Sequence, residues 1–210
     1  MKYKVMIVED QTMPRELFEL RIQASERFEV ALSIDNAALA DVYCLRFPVD
    51  LILMDVVTRG GESGLDAAER IKRTFPQMKI IIVTSMPECS YLSRAREIGV
   101  ESFWYKEEQR ESLLDVMERT MNGESVYPGA SPELTLGMAS SYQFTERELD
   151  ILREITSGDT NQEIAERLHM SVATVKTHIL NMLEKTGFRN RTELAVRARE
   201  IGLVILNRKN

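Results

Sequence analysis

The chain has 210 residues with 27 basic and 33 acidic side chains, a net charge of −6. This length suits one large domain or two ordinary ones, and a composition with 44% hydrophobic and 29% charged residues is typical of a soluble globular protein. No apolar run approaches the ~18 residues of a membrane span. The first run meets Glu9-Asp10 too early for a signal peptide. Because two cysteines, Cys44 and Cys89, make neither a disulfide framework nor a metal cluster, we expect a cytoplasmic protein with no membrane partner.

The charge is unevenly distributed along the chain. Residues 1–120 hold 16 basic and 21 acidic side chains, residues 121–170 hold 3 and 9, and residues 171–210 hold 8 and 3. On charge alone, the cationic end is as consistent with a solvated helix face as with a nucleic-acid site. The local sequence has to decide between them.

Short apolar runs alternate with amphipathic stretches through the first 120 residues. The runs have strand length and strand composition: Tyr3–Val8, Phe28–Ile34, Leu51–Met54, Ile80–Val83 and Ser102–Tyr105. The stretches have apolar residues at helical spacing: Pro14–Ala24, Ala37–Leu45, Gly64–Phe75, Ser90–Ile98 and Glu111–Met121. Five strand–helix repeats predict an α/β domain over residues 1–121, a five-stranded parallel, doubly wound sheet of the flavodoxin-like type with helices on both faces.

The pattern then changes to breakers and afterwards to helices. Residues 122–143 are rich in Gly, Pro and Ser and predict a linker, with a short helical turn near Glu133–Leu136. Capping residues then mark four helix starts, at Thr145, Thr160, Ser171 and Asn190. Residues 144–210 therefore predict an all-α domain of four helices.

Polar side chains follow four of the predicted strands. They are Glu9, Asp10, Asp55, the pair Thr84-Ser85, and Lys106. Because ligands of an open parallel sheet bind beyond the carboxyl ends of its strands, we expect these groups at one rim. Clustered acids favour Mg²⁺, and a carboxylate beside a lysine and a hydroxyl is suited to accept a phosphoryl group.

Four motifs carry these residues: Ile7-Val8-Glu9-Asp10, Leu53-Met54-Asp55-Val56, Val83-Thr84-Ser85 and Phe103-Trp104-Tyr105-Lys106. In order and spacing they resemble the signature of two-component receiver domains, over residues 3–121. The resemblance implies that Asp55 accepts phosphate from a sensor histidine kinase. It assigns Mg²⁺ to the carboxylates of Asp10 and Asp55 and the carbonyl of Val57, with Glu9 acting through water. It assigns the response to phosphate to Thr84, to Phe103 as the switch aromatic, and to Lys106 as the partner of the phosphate.

Two features depart from many receivers. The loop Thr58–Gly64 replaces Met-Pro and is one residue longer, which leaves phosphate lifetime open, and Glu107 replaces the proline that often follows the lysine. The segment Asp55-Val56-Val57-Thr58 also invites comparison with aspartyl phosphatases of the haloacid dehalogenase type. Such an enzyme needs a second acid two residues after the nucleophile, where this chain has Val57.

In the last third of the chain, a predicted helix Gln162–Leu168 and a second helix that begins at Ser171 are joined by a tight turn. This predicts a helix-turn-helix, whose second helix fits the major groove. Helical spacing directs five residues of the second helix to the core: Val172, Val175, Ile179, Met182 and Leu183. Another face offers Lys176, Thr177 and Leu180 to base edges, and Lys185, Arg189 and Arg191 follow where phosphates are held.

Four blocks within residues 144–201 resemble LuxR-type DNA-binding domains: Phe144-Thr145-Glu146-Arg147-Glu148, Asn161-Gln162-Glu163-Ile164-Ala165, Thr174-Val175-Lys176-Thr177-His178 and Asn190-Arg191-Thr192-Glu193-Leu194. The resemblance implies that Lys176 and Thr177 read bases. It places five residues near the DNA backbone or among the other DNA contacts: Thr145, Asn161, Thr174, His178 and Arg191. Leu180 stands where polar residues are common, and an apolar group there can meet a thymine methyl or relax specificity.

Together these features predict a response regulator of the NarL/LuxR type, a transcription factor and not an enzyme. Its expected partners are a sensor histidine kinase, double-stranded promoter DNA and a second copy of itself when phosphorylated. The alternative is a constitutive DNA-binding regulator whose first domain only dimerises or senses a ligand. Five intact groups at the acidic rim argue against that alternative.

Overall fold

The computed structural model describes residues 2–60, 62–88, 90–106 and 111–204. Within them the chain forms two compact units. The first contains residues 2–85 and 91–129, and the second contains residues 86–90 and 130–204. Cys89 and Glu107, singled out in the sequence, lie outside the described residues.

The first unit is built on five parallel strands in the order β2-β1-β3-β4-β5. Their bounds are β1 Tyr3–Val8, β2 Phe28–Ile34, β3 Leu51–Met54, β4 Lys79–Thr84 and β5 Ser102–Tyr105. The helices between and after them are α1 Thr12–Gln23, α2 Ala40–Arg46, α3 Gly64–Thr74, α4 Ser90–Ile98 and α5 Leu113–Met121. The predicted sheet and its doubly wound helices are therefore confirmed, with one refinement: Ala37–Leu39 is a turn of 3-10 helix ahead of α2.

Alternate residues of the strands enter two different cores. On β3, Ile52 and Met54 pack with α3 and α4, whereas Leu51 and Leu53 pack with α1 and α5. This period of two explains why the strand sequences are continuously apolar, because both faces of the sheet are covered. The carboxyl ends of the strands are left as the open edge.

The chain does not leave the sheet at the end of α5. The Phe103 amide of β5 donates to the Val126 carbonyl at 2.8 Å, and the Val126 amide donates to Ser102 Oγ at 3.1 Å. Tyr127 adds a hydrogen bond from its hydroxyl to the Val100 carbonyl at 2.7 Å. Part of the predicted linker therefore packs along β5.

From residue 130 onward, the second unit begins with a hairpin and continues with helices. The helical turn predicted near Glu133–Leu136 was wrong, since β6 Thr135–Leu136 pairs antiparallel with β7 Ala139–Ser140. The helices are α6 Glu146–Thr156, α7 Asn161–Arg167, α8 Val172–Thr186 and α9 Arg191–Glu200. The hairpin belongs to this unit because Leu136 and Ala139 join its core and the Met138 amide donates to the Thr186 carbonyl at 3.0 Å.

Local signals account for the helix starts of the second unit. Thr145 with Glu148, and Thr160 with Glu163, form reciprocal capping boxes ahead of α6 and α7. Ser171 and Asn190 cap α8 and α9 through their side chains. All four predicted starts are confirmed. Nowhere in the described ranges is there a helix with the length and apolarity needed to cross a bilayer.

Candidate functional site

The first candidate site lies at the carboxyl edge of the sheet. β1 and β3 are neighbours, with Val8 opposite Met54, so the residues that follow them, Glu9 and Asp55, come side by side. Glu9, Asp10 and Asp55 each place a carboxylate oxygen within 4.8 Å of the others. Glu9 and Asp55 are buried, at 1% and 5% exposure, while Asp10 is half-buried. The predicted acidic rim is thus assembled by strand order.

Lys106, directly after β5, reaches across this edge. Its Nζ donates to Asp55 Oδ2 at 2.8 Å and also to Glu9 Oε2. Its backbone amide donates to the Thr84 carbonyl at 2.9 Å, which ties it to the end of β4. Thr84 itself is fully buried. One ammonium group therefore joins the two most buried acids of the cluster.

Burial dominates the electrostatics of the pair. It raises the pKa of Asp55 from 3.8 to about 6; Lys106 lowers this pKa, and the Glu9 charge raises it further. Burial also disfavours the charged form of Lys106, but the Asp55 and Glu9 carboxylates outweigh it and raise the pKa of that ammonium. In the absence of a bound cation, the Asp55 carboxyl is therefore harder to ionise than an exposed aspartate.

The donors fit a hard divalent cation. Three carboxylates that converge at this distance supply the oxygen ligands that Mg²⁺ prefers, and the half-exposed Asp10 leaves room for coordinated water. The next segment stays close to Asp55: the Val57 amide lies 3.5 Å from Asp55 Oδ1. These residues are compatible with the predicted magnesium set.

Loop Thr58–Gly64, of which Gly61 lies outside the described residues, is ordered by pairing at both ends. Val57 and Ser63 form an isolated antiparallel bridge, and the Gly64 amide donates to the Val56 carbonyl at 2.8 Å. Gly64 is needed at this point, since a Cβ there would lie 1.9 Å from the Asp55 carbonyl oxygen. The two ends of this segment are therefore joined to each other directly after Asp55.

Phe103 is buried at 1% exposure on β5. Its ring lies 5.0 Å from that of Tyr105 and 6.3 Å from that of Tyr127, measured between centroids. The Arg96 guanidinium stacks over the Tyr127 ring at 4.8 Å, and burial raises the pKa of Tyr127 to about 12. Tyr127 could not be singled out from the sequence, because a single tyrosine among breakers carries no periodic signal.

The second candidate site is on α7 and α8, which form the predicted helix-turn-helix. All five residues predicted to face the core do so: Val172, Val175, Ile179, Met182 and Leu183. The opposite face of α8 is solvent-exposed at Thr174, Lys176, Thr177 and Leu180, and His178 is half-buried. Leu180 is 57% exposed, so its apolar side chain is available on this face of α8.

Other predicted DNA contacts have partners within the unit. Arg191 donates to Asn161 Oδ1 at 3.0 Å and to the Asp159 carbonyl at 2.7 Å, so α9 and α7 meet at their amino ends. Arg189 is exposed immediately before them. Arg191 therefore places a cation at the amino terminus of α9, with Arg189 two residues before it, a combination suited to phosphate.

Lys185 is engaged differently from the prediction that it faces phosphates. Its Nζ donates to both oxygens of Glu148, at 2.8 and 2.7 Å, and to the Gln143 carbonyl at 2.9 Å. Glu148 is 3% exposed and caps α6 by accepting from the Thr145 amide at 2.8 Å. Burial raises the pKa of Glu148, but the bonds from Lys185 and Thr145 outweigh this and lower it overall. Lys185 and Thr145 therefore both bind the buried Glu148 carboxylate, although Thr145 itself is exposed and Lys185 is half-buried.

Comparison with known proteins matches both units. The profile of the response regulator receiver domain matches residues 5–118, and that of the bacterial regulatory proteins of the luxR family matches residues 142–198. The response regulator protein VraR of Staphylococcus aureus is 32% identical over 212 residues, which cover 97% of this chain and 100% of the relative. VraR of Staphylococcus epidermidis is 33% identical with the same coverage.

Solved structures show the same fold at lower identity. The two-component response regulator RcsB in a complex with DNA matches with a TM-score of 0.62 and 18% identity, over 96% of this chain and 100% of that one. RcsB from Salmonella enterica serovar Typhimurium, bound to a promoter in the presence of the phosphomimetic BeF3−, matches with a TM-score of 0.61 and 20% identity, over 94% and 98% of the two chains.

Proposed function

Because this chain belongs to the response regulators that join a receiver domain to a LuxR-type DNA-binding domain, we propose that a sensor histidine kinase phosphorylates Asp55. The phosphorylated chain then binds promoter DNA as a homodimer and regulates transcription. The observation that carries the proposal is the buried Asp55 carboxylate, bonded to Lys106 beside two further acids at the open edge of the sheet.

The transfer is a displacement at phosphorus. A carboxylate oxygen of Asp55 attacks the phosphoryl group of a phosphohistidine, the P–O bond forms, and the P–N bond breaks with its electron pair left on the imidazole nitrogen. Mg²⁺ held by Asp10, Asp55 and the Val57 carbonyl, with Glu9 through water, would supply charge screening between the acids and the incoming group. Lys106, already bonded to the nucleophile, is positioned to pair with a phosphoryl oxygen.

The structural change caused by phosphorylation is transmitted from the site through β4 and β5. The Lys106 amide donates a hydrogen bond to the Thr84 carbonyl, so movement of Thr84 toward the phosphoryl group is transmitted to the end of β5. Phe103 repacks in that strand, and its neighbours are Val126 and Tyr127, which immediately precede the second unit in the chain. A local charge event thereby biases a packing arrangement at the start of the connection.

DNA binding is proposed for the exposed face of α8. Lys176 and Thr177 read base edges, and Leu180 meets a thymine methyl. The phosphate backbone on either side is contacted by five further residues: Asn161, Thr174, His178, Arg189 and Arg191. Lys185 and Thr145 support this surface indirectly, because the Lys185 ammonium and the Thr145 amide both donate to the buried Glu148 carboxylate.

Intact mass after incubation with acetyl phosphate and Mg²⁺ tests the first step. We expect one phosphate adduct on the wild type and none on Asp55→Asn. Only the wild type should then show a larger fraction of dimer and a higher affinity for DNA selected from a genomic library. Lys176→Ala should lose about 1–3 kcal/mol of affinity for the selected site and little for random DNA. A constitutive regulator would show no adduct under any condition and DNA affinity indifferent to Asp55→Asn, which would refute the proposal.

A further inference from the structure

Thr58 begins the loop Thr58–Gly64, three residues after Asp55, and it is buried at 6% exposure. Its Oγ1 accepts a hydrogen bond from the Ala37 amide at 3.0 Å, and both groups are buried. Ala37 opens the turn after β2, whereas Thr58 follows β3, and β1 lies between these two strands. One hydroxyl therefore joins two loops across the end of β1, beside the residues Glu9 and Asp10.

Other contacts join the same two loops next to Thr58. The Arg59 amide donates to the Asp35 carbonyl at 3.2 Å, and the Arg59 guanidinium lies 3.4 Å from the Asp35 carboxylate. That ion pair is exposed, at 72% and 48% of the two side chains, so it contributes little. At Gly60, with φ at +88°, a Cβ would lie 2.8 Å from Asn36 Nδ2. The loops are thus in close contact, and Thr58 supplies the buried bond between them.

The peptide that joins Val57 to Thr58 is consequently held from both sides. On the Val57 side, the residue is bridged to Ser63. On the Thr58 side, the hydroxyl is fixed by Ala37. The carbonyl of Val57 belongs to this peptide, so its direction depends on both anchors.

We propose that Thr58 is a positioning residue, which fixes the Val57 carbonyl in place as a ligand for the divalent cation held by Asp10 and Asp55. The proposal rests on the proposed function and adds to it a side chain of the loop that follows Asp55. Thr58 does not touch the metal. It acts by removing the freedom of the peptide that does, in the way that outer hydrogen bonds orient metal ligands elsewhere.

Thr58→Val tests this assignment because it keeps the side-chain shape and removes the acceptor for Ala37. Titration calorimetry of the full chain with MgCl2, without a phosphodonor, should show a dissociation constant for Mg²⁺ about tenfold higher than that of the wild type. Thr58→Ser retains the hydroxyl and should restore affinity close to wild type. Thr192→Val, at an exposed position of α9, is the matched control and should change nothing.

A second measurement on the wild type covers the case in which Thr58→Val does not fold. Mg²⁺ should slow hydrogen exchange at the Ala37 amide, because the metal rigidifies the Val57–Thr58 peptide and with it the bond to Ala37. Equal Mg²⁺ affinity of wild type and folded Thr58→Val, or Ala37 exchange indifferent to Mg²⁺, overturns the role of Thr58 alone. A wild type that binds no Mg²⁺ overturns the metal site of the proposed function as well.

Discussion

Asp55→Asn is expected to stabilise the first unit in metal-free buffer at neutral pH. Burial, with the Glu9 charge, raises the pKa of Asp55 from 3.8 to about 6 despite the opposing effect of Lys106. At about 1.4 kcal/mol per pH unit, ionising this carboxyl costs about 3 kcal/mol more in the folded chain than in the unfolded chain. Asparagine has the same shape without the charge but forms a weaker bond to Lys106, so the net gain should be about 1–3 kcal/mol.

The stabilisation by Asp55→Asn is expected to decrease as the pH falls. Above about 6, Asp55 is ionised in both the folded and the unfolded chain, so the full cost is present. As the pH falls from about 6 to 3.8, folded Asp55 becomes protonated while the unfolded residue is still ionised, and the cost disappears. The stabilisation by Asp55→Asn should therefore be largest at neutral pH and small near pH 4.

Urea unfolding followed by tryptophan fluorescence measures the stability of the first unit, in which Asp55 lies. The chain has one tryptophan, and it is Trp104, 7% exposed on β5. The measurement is made with EDTA at about pH 7.5 and pH 5, and exposed Asp115→Asn on α5 serves as the control with a change under about 0.5 kcal/mol. Unchanged stability of Asp55→Asn at neutral pH, or a gain that grows toward pH 5, would show that the carboxylate is not destabilised by burial.

Two further predictions concern contacts that link distant parts of each unit. Lys185→Ala should destabilise the second unit by about 3 kcal/mol at neutral pH, because it leaves the buried Glu148 carboxylate without its cation. In urea unfolding followed by circular dichroism, the loss should shrink as acid protonates Glu148, and wild-type stability at neutral pH would contradict the network. Tyr127→Ala should leave phosphorylation of Asp55 intact but reduce the phosphorylation-dependent gain in DNA affinity by about 0.5–2 kcal/mol. Mass spectrometry and DNA titration measure the two effects, and an undiminished gain would exclude Tyr127 from the response.

Features encoded by neighbouring residues could be predicted from the sequence. The strands were found because both faces of the sheet are buried and their segments are continuously apolar, as in Leu51–Met54. The capping boxes at Thr145 and Thr160 were found because their two partners are three residues apart. The rim residues Glu9, Asp55 and Lys106 could be placed together because parallel strands bring their carboxyl ends to one edge.

Side-chain partners distant in sequence were decided by the tertiary structure alone. Lys185 had the charge and position of a phosphate contact, but the fold brings it to Glu148, a residue 37 positions earlier. Residues 126 and 127 had the composition of a linker, but the unpaired edge of β5 offers the Phe103 amide to the Val126 carbonyl. In the sequence, Thr58 is only one residue of an unusual loop. Its hydroxyl has a buried donor, the Ala37 amide, because the fold brings the turn after β2 close to it.

The sequence by itself thus determined the elements, their order and the chemistry at their ends, because backbone pattern and capping act over a few residues. The tertiary structure decided which polar groups are free to act and which are held. The physical reason is that a buried polar group must find a partner wherever the packing places one, and the identity of that partner is not encoded in its neighbours. Two lysines of α8 illustrate the difference: Lys176 is exposed to solvent, whereas Lys185 is bonded to the Glu148 carboxylate.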